Sequence, residues 1–440
     1  MGTQAHIPPS LSQRWLLLAV TSLGLSAIAA LVLVLARTPV LTSFVAADTF
    51  PRALVVHVNF ATLIWYLSMA GALWTERLTS KRSTAATIAL VLATGGAFGV
   101  LVSGFSASGT PVLANYVPYL QTPTFLGSLA CFAAGGLAVA LISLTRPRDT
   151  AEWGFMIARW PFAMSATYLL LDLHDGASLA DALWGAGHIM QFGFVTLLMA
   201  IWLRLTERAG AQPIPATLAL PLFAAAALPA TIAPLLHIAG TLDQSALHVF
   251  HTQLMRWANW PAPLLFGLLL LRAGGTALRA DGLVASLILL LAGILAGTAI
   301  DSQTTMIPAH YHGTIGAFTL AQMAAVLARV SPAPGNFNVW RPTRRPLTLY
   351  ATGSIMLILG LAWSGLLGAP RKAAFSAEGA DLPATLAAIL TGAGGAVTIT
   401  GVVFFVIVAL PRILQLCKPR QTTPANQPGK AAASTFAAVP

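Results

Sequence analysis

Two histidines, His310 and His312, stand two residues apart in the stretch DSQTTMIPAHYHGTIGAFTLAQ, at the start of an apolar helix. An α-helix turns by about 100° per residue, so side chains two positions apart point about 200° away from each other. The two imidazole rings therefore leave opposite faces of one helix. Such a helix can ligate two separate cofactors, one on each side.

The composition places this helix in a membrane protein. Of the 440 residues, 57% are hydrophobic and 8% are charged, and the mean hydropathy is +0.77. This balance is typical of membrane-embedded chains and excludes a soluble core. Two cysteines, Cys131 and Cys417, are too few for a disulfide framework or a thiolate metal site. The sequence also lacks CxxCH, which excludes covalently attached haem.

Twelve apolar stretches are long enough to cross about 30 Å of hydrocarbon. We therefore predict an all-α membrane protein with twelve transmembrane helices in residues 15–410, preceded by a cytoplasmic segment, 1–14, and followed by a disordered cytoplasmic tail, 411–440. The predicted spans are 15–36, 52–75, 84–107, 122–145, 153–172, 179–203, 214–237, 249–271, 282–300, 305–328, 347–368 and 383–410.

The basic residues orient these spans. Eighteen of the 24 Lys and Arg residues fall in the termini and loops on one side, and Arg159 and Arg256 lie within spans. Only Arg37, Arg52, Arg371 and Lys372 fall on the other side. Because cytoplasmic loops carry the basic excess, both termini are predicted to be cytoplasmic. The net charge of +11 is thus a signal of topology and does not indicate nucleic-acid binding.

Eight of the nine histidines fall in one outer layer of this topology. A single histidine at such a depth is more often a hydrogen-bonded interfacial side chain, but eight at one level favour a shared function. Neutral imidazole is a suitable ligand for haem iron and for copper. The eight are His57, His174, His188, His237, His248, His251, His310 and His312.

With these motifs the chain resembles the catalytic subunit I of the haem-copper oxidase superfamily over nearly its whole length. The family's helix-ten HxH corresponds to His310, for the high-spin haem, and His312, for the low-spin haem. The second low-spin ligand corresponds to His57 in RALVVHVNF, and a ligand of the copper ion corresponds to His188 in LWGAGHIMQFGF. The family's basic pair at the haem propionates corresponds to Arg371 and Lys372, since anionic propionates need nearby cations.

The remaining copper ligands depart from the family pattern. The family places two adjacent histidines after helix seven, whereas this chain has Leu236 before His237 in PLLHIAGTLDQS. Three arrangements stay open: His248 or His251 completes a three-histidine site, copper has fewer ligands, or copper is absent.

The resemblance implies a respiratory enzyme of a bacterial inner membrane that reduces O2 to water, with two haems and copper. Oxidases in the commonest class carry a tyrosine one turn after the helix-six histidine, where this chain has Phe192, and Tyr168 on helix five is an uncertain substitute. Nitric oxide reductases lack that tyrosine, so NO is the alternative substrate. A third alternative is a transporter or non-catalytic haem protein. The resemblance further implies an accessory electron-donating subunit, cytochrome c or quinol as a partner.

Overall fold

The computed structural model describes residues 6–7, 10–46, 48–78, 82–106, 108–211, 214–240, 242–272, 274–330, 344–376, 379–418 and 420–421. Most of these residues, about 80%, are helical, in agreement with the prediction of an all-α membrane protein. Nine helices in this part of the chain are long and apolar enough to cross a membrane. Many of their large apolar side chains are exposed, as on a surface that faces lipid.

The helices fall at all twelve predicted stretches, although several are interrupted. They are α1 (Leu11–Arg37), α2 (Thr49–Val58), α3 (Trp65–Trp74), α4 (Ser83–Phe105), α5 (Pro123–Ile142), α6 (Thr150–Ile157), α7 (Arg159–His174), α8 (Leu179–Arg208), α9 (Ala216–Ala227), α10 (Ile232–Ile238), α11 (Gln244–Ala258), α12 (Pro261–Leu271), α13 (Leu283–Thr298), α14 (Met306–Val330), α15 (Arg345–Leu366) and α16 (Leu382–Leu416).

Two short antiparallel ladders join loops and termini. Strand β1 (His6–Ile7) pairs with β4 (Arg420–Gln421), and β2 (Pro111–Val112) pairs with β3 (Tyr119–Leu120). Helix α1 begins four residues before its predicted span, because Ser10 and Gln13 form a capping box. Helix α16 continues to Leu416, past the predicted end at 410. The predicted disordered tail lies largely outside the described residues.

Twelve spans are predicted, whereas nine helices among the described residues are long and apolar enough to cross a membrane. Interruptions in the helices explain the difference. The predicted fifth span is divided between α6 and α7, the eighth is broken at Asn259 and Trp260 before Pro261, and the ninth is the 16-residue helix α13. A proline cannot donate a backbone hydrogen bond and is favoured at a helix start, so α12 restarts there. A π-helical stretch, Asn59–Ile64, joins α2 to α3, and such turns are frequent at functional sites.

Candidate functional site

A large cavity lies inside the helix bundle, with a volume of about 950 Å³. This volume is at the upper end of the range of roughly 300–1,000 Å³ for ligand pockets. Its wall is mostly apolar and includes the four histidines His57, His188, His310 and His312. These four side chains come from α2, α8 and α14, so the fold gathers candidate ligands from distant parts of the sequence.

His57 is held by α1. Its Nδ1 atom lies 3.1 Å from the carbonyl oxygen of Ser26 and 3.0 Å from the Ser26 hydroxyl. A carbonyl only accepts, so Nδ1 carries the proton and donates, and Nε2 keeps its lone pair. Ligating histidines are commonly oriented by such a bond from the other ring nitrogen. His57 therefore has the tautomer needed to bind a metal through Nε2.

His310 is oriented in the same way by α13. Its Nδ1 donates to the carbonyl oxygen of Gly293 over 2.8 Å. The two helices approach closely because Gly293 and Gly297 have no side chain. A Cβ atom at Gly293 would lie 2.4 Å from the Thr314 backbone nitrogen, and one at Gly297 would lie 2.6 Å from Nδ1 of His310. The glycines of α13 thus set the position of this imidazole.

His312 also lines the cavity, two residues further along α14. Tyr311 stands between the two histidines in sequence, and its ring centroid lies 5.3 Å from that of His312. All three side chains reach the same cavity from one helix. Both imidazoles of the HxH motif thus line one cavity.

His188 is buried on α8 and packed between aromatic rings. Its Nδ1 donates to the carbonyl oxygen of Trp184 over 2.8 Å, one turn earlier in the same helix. The imidazole centroid lies 3.9 Å from the Trp184 ring and 4.8 Å from the Tyr116 ring. As with His57 and His310, this bond leaves Nε2 as the ring nitrogen that carries the lone pair.

His251, one of the two histidines that the sequence offers as a further copper ligand, is buried beside His188. It is 1% exposed, and both of its ring nitrogens lack a hydrogen-bond partner among the described residues. Its ring centroid lies 5.7 Å from that of His188 and 4.9 Å from that of Tyr168. Buried polar atoms are nearly always paired, so the two unpaired nitrogens indicate a missing partner.

His237 also packs against Tyr168. Its ring centroid is 5.5 Å from the Tyr168 ring, and its Nε2 lies 2.9 Å from a carboxylate oxygen of Asp175. The described part of the cavity wall includes His188 but neither His237 nor His251. Across the described residues, no three His, Cys, Asp or Glu side chains are close enough together to hold a metal ion.

The basic pair Arg371 and Lys372 lines the cavity. Arg371 and Lys372 both donate to the amide oxygen of Asn115, over 3.2 and 3.0 Å. Lys372 also donates to the Leu113 carbonyl oxygen and has a left-handed backbone with φ of 60°. Such a conformation is unusual for lysine and occurs mainly where the surroundings enforce it.

This basic loop is tied to the helix that carries the HxH motif. The Arg371 amide donates to the Gln303 carbonyl oxygen over 3.2 Å, and the Thr305 amide donates to the Ala369 carbonyl oxygen over 2.9 Å. Thr304 and Pro370 form a β-bridge between the two segments. The cations are therefore positioned relative to the start of α14 and its histidines.

Burial and, as the smaller cause, the neighbouring positive charge of Arg371 together lower the pKa of the Lys372 ammonium to about 8. Burial also lowers the pKa of Arg371. Two partly buried cations side by side are unfavourable unless an anion lies near them. This edge of the cavity is thus suited to an anionic group.

Four further residues line the cavity although no sequence motif indicates them: Arg37, Asn115, Tyr116 and Trp184. Arg37 donates to the Ala373 carbonyl oxygen over 3.2 Å and so joins the end of α1 to the basic loop. A signal for it was present, because Arg37 is one of four basic residues on the predicted outer side. Asn115 and Tyr116 lie in a loop without a recognisable motif, so only the fold reveals them.

Comparisons with known proteins find similarity without an assigned activity. No protein-family model matches the chain. It is 24% identical to "Uncharacterized protein RP382" of Rickettsia prowazekii over 489 aligned positions, which cover 91% of this chain and 95% of the relative. It is also 26% identical over 329 positions to an "Uncharacterized protein" of Aquifex aeolicus, covering 70% of this chain and 82% of the relative.

Proposed function

We propose that this chain is a divergent catalytic subunit of the haem-copper oxidase type that reduces O2 to water. One observation carries the proposal: His57, His188, His310 and His312 line a single large apolar cavity. Three of these rings have Nδ1 tied to a backbone carbonyl, which leaves Nε2 as the ligand atom. A neutral imidazole that donates through Nδ1 and keeps the Nε2 lone pair is the form that ligates haem iron.

The residues present fit two haems. His57 and His312 would hold the low-spin haem, and His310 would hold the high-spin haem. Arg37, Arg371 and Lys372 would neutralise the propionates, which agrees with the partly buried, closely spaced cations at this edge. Bound haem iron would supply one-electron transfer and, at its open position, binding of a diatomic gas.

The residues around the iron sites hold and orient these groups. Gly293 fixes the His310 ring through its carbonyl oxygen, and Ser26 fixes the His57 ring. The wall of the cavity is mostly apolar. An apolar surrounding strengthens each electrostatic contact, including those of the basic pair with propionates.

For copper the residues fit two imidazole ligands better than three. His188 and His251 are adjacent, and the two unpaired nitrogens of His251 support a ligand role. His237 contacts Asp175 and packs its ring against that of Tyr168. We therefore favour a copper site with fewer ligands than the family pattern, and no step of the reaction is assigned to it.

Tyr168 supports O2 over NO as the substrate. Its ring is 2% exposed and lies against the rings of both His251 and His237. A phenol beside a candidate copper ligand is the group that the family uses in splitting O2, although it comes here from α7 instead of α8. Reduction of NO at the same centre remains the second candidate.

The fine topology also belongs to the proposal. Helices at all twelve predicted stretches and the uneven distribution of 18 against four basic residues support twelve spans with both termini in the cytoplasm of a bacterium. Electrons would come from an accessory subunit, cytochrome c or quinol.

The test is turnover of purified protein with each gas. We expect a carbon monoxide difference spectrum from one of two haems, copper near one ion per chain, and consumption of O2. Consumption of NO without O2 would favour the second candidate. A colourless protein would contradict both and leave a transporter.

A further inference from the structure

A second, smaller pocket lies apart from the histidine cavity, where α3 and α8 end and α6 begins. Its volume is about 30 Å³, and none of the described residues lines both spaces. The proposed topology places it on the cytoplasmic side. Three arginines line it: Arg77, Arg159 and Arg204. Guanidinium groups are good donors to anions, so the charge of this pocket suits a negatively charged ligand.

Arg159 is the arginine of this pocket that has no carboxylate partner. It is 9% exposed and forms no ion pair with a described residue. One of its terminal nitrogens donates to the Ala140 carbonyl oxygen over 2.9 Å, in the last turn of α5, and its guanidinium carbon lies 5.3 Å from the centroid of the Trp74 ring. Its Nε atom is buried and has no hydrogen-bond partner in the described part of the chain. A carbonyl oxygen and an aromatic face stabilise the cation in part, but neither neutralises it.

The carboxylates nearest to the other two arginines are already bound. Glu152 accepts from the Arg77 guanidinium and, over 2.8 Å, from the Arg148 amide. Arg204 donates to Asp149 over 3.0 Å. These two ion pairs form part of the surroundings of the pocket and leave its third guanidinium unmatched.

Glu76 is the other carboxylate that lines the pocket. It is 52% exposed and lies 3.5 Å from Arg329. Solvent screens an exposed carboxylate strongly, so Glu76 contributes little to the neutralisation of a buried cation. A buried charge without a counter-ion is costly, and ionisable groups at membrane depth are usually functional. Arg159 therefore calls for an anion that the protein itself does not supply.

The interruption between α6 and α7 brings Arg159 to this place. Helix α6 ends at Ile157, and α7 begins at Arg159. Pro161 has no amide hydrogen to donate to the Ile157 carbonyl oxygen, as a continuous helix would require, so the proline favours a break here. The first turn of α7 thus carries the arginine into the pocket.

We propose that this pocket binds one monatomic anion of the size of chloride, held by Arg159. A cavity needs roughly 10–15 Å³ to admit one water molecule. A volume of about 30 Å³ therefore admits a single chloride ion but is too small for a phosphate group, whether of a lipid or in solution. The bound ion neutralises Arg159 and joins the start of α7 to the ends of α3 and α8. This site is independent of the histidine cavity and of the proposed function.

Thermal unfolding of the purified protein tests the site without any cofactor. Sodium chloride is replaced by sodium gluconate at constant ionic strength, so that the size of the anion is what changes. An ion that binds only the folded state raises the melting temperature, and we expect a rise of about 2–4 °C in chloride. Bromide should replace chloride, whereas sulfate should not. Equal stabilisation by sulfate would show that the ligand is a larger oxyanion and would overturn the proposal.

Two variants assign the effect to one arginine. Arg159→Met removes the charge and keeps much of the side-chain volume, so its melting temperature should be the same in chloride and gluconate. Arg279→Met removes an exposed arginine between α12 and α13 and should keep the dependence of the wild-type protein. A wild-type protein that does not respond to chloride, or a response that persists in Arg159→Met, would overturn the site.

Bromide diffraction gives a second test that does not depend on the folding of a variant. Crystals of the wild-type protein grown in sodium bromide should show an anomalous peak within hydrogen-bond distance of the Arg159 guanidinium. A pocket without such a peak in well-ordered crystals would overturn the proposal, even if chloride stabilises the protein.

Discussion

At the scale of single residues, the hydrogen bonds of each imidazole nitrogen say more about a possible ligand role than the presence of a histidine does. His57, His188 and His310 each direct Nδ1 to a main-chain oxygen, so Nε2 is the nitrogen of each ring that keeps its lone pair. The spacing of His310 and His312 is enough to predict that their rings point in different directions, because a helix turns by about 100° per residue. The oxygen partners of these rings could not be predicted, since they come from other helices or from the backbone.

His312→Ala and His310→Ala should have different effects. Loss of His312 should remove the low-spin haem, and loss of His310 should leave that haem but abolish carbon monoxide binding. Reduced-minus-oxidised and carbon monoxide spectra measure both effects. His174→Ala, at an exposed position, is the control. Equal loss of both haems in the two variants would show that the ligands are wrongly assigned.

The affinity for haem should depend on pH through the titration of the Lys372 ammonium. Its pKa of about 8 in the cofactor-free protein means that its charge is present below pH 8 and is lost as the pH rises. A propionate binds the charged form, so haem affinity should fall about tenfold between pH 7 and pH 9.

Lys372→Arg provides the comparison for this titration, because a guanidinium stays protonated throughout the range. Titration of cofactor-depleted protein with haem at the two pH values measures the effect. The variant should bind equally well at both. An identical pH dependence in the two proteins would exclude Lys372 as the titrating group.

At the scale of elements, contacts between helices determine where the ligands stand. Gly293 and Gly313 face each other, and a Cβ at Gly313 would lie 2.3 Å from the Gly293 Cα atom. This backbone contact brings α13 close enough to orient His310. The sequence predicted both spans, but not that glycines in them would meet, because contact between distant segments has no local pattern.

Gly293→Ala should displace His310. The added methyl group would lie 2.4 Å from the Thr314 nitrogen, and overpacking of this kind costs about 1–3 kcal/mol. We expect a lower melting temperature and weakened carbon monoxide binding, measured by thermal unfolding and by the carbon monoxide spectrum.

Gly127→Ala is the matched control, because a Cβ there meets no atom within 4 Å. Alanine in an open helical position should be neutral or stabilise by about 0.5–1 kcal/mol. A Gly293→Ala protein with unchanged stability and normal carbon monoxide binding would contradict the role assigned to the close contact.

At the scale of the whole molecule, charge and apolar length predict most of the fold. All twelve apolar stretches are helical, and three of the four basic residues predicted on the outer side, Arg37, Arg371 and Lys372, meet at the cavity. The length of an apolar stretch does not reveal a helix break such as the one before Pro261. Nor does it reveal that His237 packs against Tyr168, because both features depend on packing. The candidate copper site was for this reason the least predictable part.

We propose that one cavity holds two iron porphyrins between helices α2 and α14. The most direct measurement is the number of haem groups per chain, from a pyridine haemochrome assay together with iron analysis of the purified protein. The account predicts two haems and two iron atoms per chain. A preparation that is folded and monodisperse but contains no haem would contradict it.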